Sequence, residues 1–122
     1  MRSAYLHPSM RILIVEDNPG LRALLVDLFQ GAAHEVRVAP SGTKALEALS
    51  NWPPDVIIAD LNLPGVQGEE IAIAAAALPQ RPRLIMMSAD RERLERTRSR
   101  ADAVLLKPFH LDELLRLVAL FQ

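Results

Sequence analysis

The sequence has no cysteine, which excludes a disulfide framework and permits a reducing compartment. Aromatic residues are scarce at 4%, so there is little material for stacking nucleobases. No long hydrophobic run is present. The longest, "IAIAAAAL" at 71–78, is far too short to span a bilayer, and the opening "MRSAYLHPSM" has no apolar stretch fit for a signal peptide. Nor is there an excess of one charge. Fourteen basic residues against fifteen acidic give a net charge of −1, and nothing at that level favours nucleic acid or a membrane. Repeats, low-complexity tracts and a G-x-G-x-x-G turn are also missing, the last of which argues against a dinucleotide site. A soluble, cytoplasmic chain is the expectation.

What is present is alternation. The 122 residues suit one domain, with residues 1–10 as a loose N-terminal tail and 11–122 as the folded unit. Apolar bursts at 11–15, 34–39, 55–60, 83–88 and 103–106 read as strands. Between and after them lie amphipathic segments at 18–31, 41–50, 68–78, 90–100 and 111–121, which read as helices. In the first helix Leu21, Leu24, Leu25, Leu28 and Phe29 fall at helical spacing. Ala45, Leu46 and Leu49 do so in the second, and Trp52 covers its end. Five strands alternating with five helices predict an α/β fold on a parallel sheet covered on both faces.

The residues that close the strands carry the chemistry. Glu16 and Asp17 follow the first, Asp60 ends the third, Ser88 ends the fourth, and Lys107 follows the fifth. Parallel strands present these positions at one edge, where open α/β sheets bind ligands. Two carboxylates ~4 Å apart repel by roughly 4 kcal/mol at an effective dielectric near 20, so three crowded acids call for a cation. A hard divalent ion such as Mg²⁺ suits all-oxygen ligands. Metal, amine and hydroxyl around one carboxylate describe a phosphoryl-transfer site in which that carboxylate, Asp60, is the nucleophile. Read singly, each residue has a plainer role: Asp17 or Ser88 as a helix cap, Lys107 as a solvated loop residue.

With these pieces assembled, "LIVEDNP" (13–19), "PDVIIADLNLPGVQG" (54–68), "MMSAD" (86–90) and "LLKPF" (105–109) resemble, in order, the receiver domain of bacterial two-component response regulators. The resemblance covers roughly residues 11–121. It implies a flavodoxin-like three-layer sandwich, with a five-stranded parallel sheet in the order 2-1-3-4-5 and five helices. Asp60 is then the phosphoacceptor, supplied by a sensor histidine kinase or a histidine phosphotransfer protein. Asp17 and Asp60 bind Mg²⁺ together with the backbone carbonyl of Asn62, and Glu16 contacts the ion through water. Lys107 and Ser88 meet phosphate oxygens, and the Lys107–Pro108 peptide is cis. Asn62 and Asp90 match positions that tune hydrolysis of the phosphoaspartate. The implied chemistry is limited to the domain's own phosphorylation and dephosphorylation.

The sequence departs from the family at the output side. Val104 stands where many receivers carry Tyr or Phe. The fourth helix is short by most of a turn, with eighteen residues between Ser88 and Lys107. The alternative is therefore a degenerate receiver that works as a phosphorylation-independent interaction module; an independent aspartyl-intermediate phosphatase fits poorly, because the loops are short. Arg91, Arg93, Arg96, Arg98 and Arg100 form either a solvated face or a docking surface for an acidic partner, with nucleic acid the weaker option. The last helix extends beyond one stripe through Leu117, Leu120 and Phe121, which predicts a dimer or effector surface within residues 90–121. His7, His34 and His110 have no ligand spacing. The chain stops at the end of that helix, which suits a stand-alone receiver and an excised one equally.

Overall fold

The computed structural model describes residues 9–122; His7 and most of the expected tail lie outside that range. The chain alternates β1 (Arg11–Val15), α1 (Pro19–Gly31), β2 (Glu35–Ala39), α2 (Gly42–Asn51), β3 (Val56–Asp60), α3 (Gly68–Ala76), β4 (Arg83–Ser88), α4 (Arg91–Thr97), β5 (Ala103–Leu106) and α5 (Leu111–Ala119). The five strands form one parallel sheet in the order β2-β1-β3-β4-β5.

The unbroken apolar strands are explained by burial on both faces. Leu13, Val15, Ile57, Ala59, Leu84 and Met86 point to one side, where Ala45, Leu49, Ile71, Ala75 and Leu94 bring in α2, α3 and α4. The intervening residues, among them Ile12, Ile14, Val56, Ile58, Ile85 and Met87, face Leu25 and Phe29 of α1 and Leu114 and Val118 of α5. This two-residue alternation is the strand period, and each set of alternate residues packs under its own layer of helices. Met10, counted with the tail from sequence, is buried in the second cluster, and its N–H donates to His34 Nδ1 at 3.1 Å.

Local signals set the helix ends. Asn18 Oδ1 accepts from Leu21 N–H at 2.9 Å and Pro19 opens α1, the arrangement expected of a cap followed by proline. Ser41 caps α2 through Lys44 N–H. Trp52 closes α2 and is buried, with the guanidinium carbons of Arg11 and Arg37 5.5 and 5.0 Å from its ring centroid.

Two expectations change and one holds. Leu24 is 47% exposed rather than inward, because the apolar arc of α1 is wider than the face it packs. The fourth helix is short, as expected: it is seven residues long and gives way to a 3₁₀ turn at Arg98–Arg100. The apolar patch on α5 is narrow: Leu117 and Phe121 pack against the core, Arg83 lies 5.4 Å over the Phe121 ring, and Leu120 stands out alone on that helix at 77% exposure.

Candidate functional site

The strand order puts β1, β3, β4 and β5 side by side, so the residues at their carboxyl ends share one edge. Val15 pairs with Ala59, which sets Glu16 next to Asp60. Met87 pairs with Asp60, and Ser88 with Leu106, so Ser88 and Lys107 complete the row. Backbone hydrogen bonds carry the ladder past the strands, from Leu61 N–H to Met87 O at 2.8 Å and from Lys107 N–H to Ser88 O at 2.9 Å. The edge is rigid where the chemistry sits.

Glu16 and Asp60 are buried, at 1% and 5% exposure, while Asp17 is exposed. A carboxylate oxygen of each of the three lies within 4.8 Å of the others. Lys107 Nζ donates to Glu16 Oε1 at 3.1 Å and, at closer range, to Asp60 Oδ2. Backbone N–H groups take the remaining oxygens: Asn18 donates to Glu16 Oε2 at 3.1 Å and Asn62 to Asp60 Oδ1 at 2.8 Å. Arg22 Nη1 braces the loop below by donating to the carbonyl of Glu16 at 3.0 Å.

The charges respond to this crowding. Burial raises the Glu16 pKa above the usual carboxylate value of 4.5, outweighing the Asn18 and Lys107 hydrogen bonds that act the other way. Burial also works against the charge on Lys107, but its hydrogen bonds and attraction to Asp60 and Glu16 prevail, so the amine titrates above the ordinary lysine value of 10.5. One ammonium thus serves two buried carboxylates, and an exposed third acid stands open beside them.

The plainer roles fall to other residues. Asn18, not Asp17, caps α1. Asp90, not Ser88, caps α4, accepting from Arg93 N–H at 3.1 Å. Ser88 is fully buried, and its Oγ accepts from Asp90 N–H at 3.0 Å. Lys107 is half-buried and doubly paired rather than solvated, and the peptide it shares with Pro108 is cis. Gly65 turns the β3–α3 loop at φ +72°, and Gly42 admits that loop so closely that a Cβ there would stand 2.1 Å from the Val66 carbonyl. Beside Lys107, the residues Leu21, Leu24, Ala89, Pro108, Phe109 and Leu111 line an open apolar hollow of about 400 Å³. It accounts for the exposed Leu24.

Sequence reasoning missed one participant. Arg93, counted with the α4 arginines, leaves that helix face and reaches over the rim of the site. Its guanidinium donates to Glu69, to Gln67 and to the side-chain carbonyl of Asn62. The other four arginines of the group are exposed.

A profile of the "Response regulator receiver domain" family matches residues 12–119. The chain is 32% identical over 107 residues to sporulation initiation phosphotransferase F of Bacillus subtilis, covering 85% of this chain and 86% of that protein. It is 35% identical over 113 residues to the sensor histidine kinase TmoS of Ectopseudomonas mendocina, covering 85% of this chain but 11% of the kinase. It likewise spans 46% of the DNA-binding response regulator MtrA of Mycolicibacterium smegmatis. Among solved structures, the response regulator TrrA of Thermotoga maritima in complex with Mg²⁺-BeF superposes with a TM-score of 0.83 at 30% identity, covering 92% of this chain and 98% of TrrA. The chemotaxis response regulator CheY4 of Vibrio cholerae gives 0.85 at 27%, covering 94% of this chain and all of CheY4. Among the described residues no helix is long and apolar enough to cross a membrane. The chain belongs to the response regulator receiver domains, the phosphoacceptor modules of two-component signalling.

Proposed function

We propose that Asp60 is the phosphoacceptor and that the site works with Mg²⁺. The observation that carries this reading is the convergence of Glu16, Asp17 and Asp60 around Lys107. Each residue there has shed its plainer structural role. The all-carboxylate donor set fits a hard cation, and the relative TrrA was solved as a Mg²⁺-BeF complex. Asp17 and Asp60, with the carbonyl of Asn62, would hold the ion, and Glu16 would reach it through water. Bound there, Mg²⁺ supplies charge neutralisation for the phosphoryl oxygens.

The chain's own residues do the rest. Asp60 is held rigidly at the end of a fully buried strand. One of its carboxylate oxygens attacks phosphorus, a P–O bond forms, and the P–N bond of the donor phosphohistidine breaks. The imidazole leaves with the electron pair and takes a proton from solvent. Lys107 is freed from Asp60 as the carboxylate becomes an ester-like mixed anhydride, and its ammonium is available to a phosphate oxygen. Ser88, whose Oγ accepts from the Asp90 N–H, donates its O–H to another phosphate oxygen. The chemistry ends with transfer onto and off this carboxylate.

The donor is a sensor histidine kinase or a histidine phosphotransfer protein, and the apolar hollow beside Lys107 suits an apolar side chain flanking the donor histidine. Output is assigned to residues 90–121, through an effector or a second copy of the chain, with the exposed α4 arginines and Leu120 as its contacts. Receiver behaviour independent of phosphorylation is not favoured, since the acid–lysine cluster is whole.

Incubation with Mg²⁺ and a small acyl phosphate is expected to add one alkali-labile phosphoryl group by intact mass. Asp60→Asn is expected to abolish it. An unlabelled wild-type chain, or a labelled Asp60→Asn chain, overturns the assignment.

A further inference from the structure

The short α4 buries only Leu94 and Thr97, and a helix of seven residues is not stable through its own hydrogen bonds. Its first turn is tied instead through Arg93. Nε donates to Glu69 Oε2 at 3.0 Å and Nη2 to Glu69 Oε1 at 2.8 Å, a two-pronged ion pair. Nη2 also donates to Gln67 Oε1 at 2.7 Å, and Nη1 donates to Asn62 Oδ1. The guanidinium thus spans from α4 to the β3–α3 loop and the first turn of α3. Its planar fork suits this bridging of several oxygens in a way a lysine ammonium does not.

Asn62 is the important member of this group. Its backbone N–H already donates to Asp60 Oδ1 at 2.8 Å, so the Asn62 side chain rises directly from the residue that touches the reacting carboxylate. Arg93 holds that side chain at the rim. At its other end, the backbone N–H of Arg93 donates to Asp90 Oδ1, and Asp90 N–H donates to Ser88 Oγ. Arg93 therefore links both loops flanking Asp60, the one after β3 and the one after β4.

We propose that Arg93 is a positioning residue for the receiver chemistry: it pins Asn62 across the mouth of the site and so lengthens the lifetime of the aspartyl phosphate. The inference rests on Asp60 being the phosphoacceptor. In hydrolysis a water oxygen attacks phosphorus opposite the Asp60 ester oxygen. The P–O bond to Asp60 breaks, the carboxylate leaves with the electron pair, and the water's proton passes to solvent. That water must approach from the mouth, so a pinned Asn62 side chain restricts its approach. Released from Arg93, Asn62 swings clear and hydrolysis speeds up.

The test uses the full chain, phosphorylated with acetyl phosphate and Mg²⁺, desalted into buffer with Mg²⁺, and followed by intact mass. Arg93→Ala is expected to lose its phosphoryl group about fivefold faster than wild type, the factor set by one ordinary hydrogen bond. Arg93→Lys is expected to behave like Arg93→Ala, because the fork is lost although the charge remains. In an Asn62→Ala background, Arg93→Ala is expected to add nothing further. Lys44→Ala, which removes an exposed ion pair on α2, is expected to leave the lifetime unchanged and controls for the loss of a surface ion pair as such. Should Arg93→Ala not fold, Glu69→Gln removes the ion pair that aims the guanidinium, and faster loss is expected there too. Decay of Arg93→Ala or Glu69→Gln at the wild-type rate overturns the proposal, as does an Arg93→Ala effect that persists undiminished without the Asn62 side chain. A wild-type chain that takes no phosphoryl group at all instead brings down the assignment of Asp60.

Discussion

Both ends of the sheet carry acids next to strand termini, and the two ends treat them differently. At the amino end, Asp55 Oδ2 accepts from the Arg11 N–H at 2.8 Å, and Asp102 Oδ2 accepts from the Leu84 N–H at 2.8 Å with Arg83 alongside. Each acid there ties down one backbone donor left over at the start of a strand, at the surface and apart from the other. At the carboxyl end, Glu16 and Asp60 are buried, crowd together with Asp17, and share the single ammonium of Lys107. An acid at a strand end is an ordinary structural device. Acids that outnumber their cation, held where neither can move away, are a site waiting for charge.

The comparison is broken most completely by neutralising one acid at each end. Asp60→Asn is expected to lose all phosphoryl uptake, and Asp55→Asn to keep it, in the same acyl-phosphate assay read by intact mass. Equal uptake by the two variants would mean the crowded end has no special chemistry. Next in size is stability. Lys107→Met leaves two buried carboxylates without their counter-charge and is expected to cost about 2–3 kcal/mol in urea unfolding with chelator, less than a fully buried pair because the lysine is partly solvated. Asp102→Ala, which frees one backbone donor at the other end, is expected to cost about 1 kcal/mol. Added Mg²⁺ is expected to restore part of the first loss and none of the second.

The smallest effect is the dependence on pH. Glu16 binds its proton more tightly in the folded chain than in the unfolded one. Its contribution is therefore fully present below pH 4.5 and lost as pH rises through the folded value. In chelator, stability is expected to fall over that window with a slope of at most about 1.4 kcal/mol per pH unit, and Glu16→Gln is expected to flatten it. Lys107 has the same sign at the alkaline side, with stabilisation kept below pH 10.5 and lost as pH rises through its higher folded value.

Much of this was legible in the sequence because strands buried on both faces announce themselves as unbroken apolar runs, and the residues closing them can be read off directly. The three-layer order and the roles proposed for Asp17 and Lys107 came with the family resemblance, whereas Asp60 already stood out as the candidate nucleophile among the residues that close the strands. What stayed hidden depended on contacts between distant segments. The Arg93 bridge joins residues 24 to 31 positions apart, and an arginine among arginines gives no local sign of which one turns inward. Helical spacing in α1 and α5 marks the apolar arcs but not what covers each residue: Leu24 faces a hollow, and the Phe121 ring lies under Arg83. The exchange of capping duty from Asp17 to Asn18 was one residue wide, below what periodicity resolves.

Trp52 offers a last consequence. The guanidinium groups of Arg11 and Arg37 lie over its ring, beside the first residue of β1, whereas Asp60 and its neighbours lie past the last. A strand of this length separates the two by about 13 Å. As the one tryptophan of the chain, it gives an emission signal from a single place, far from the phosphoryl chemistry. Fluorescence at that indole is therefore expected to follow unfolding and to change little on metal or phosphoryl binding, which a Mg²⁺ titration at constant ionic strength checks. An optical readout of the switch needs a new probe, and the exposed Ala89, on the rim between Ser88 and Asp90, is a place to put it.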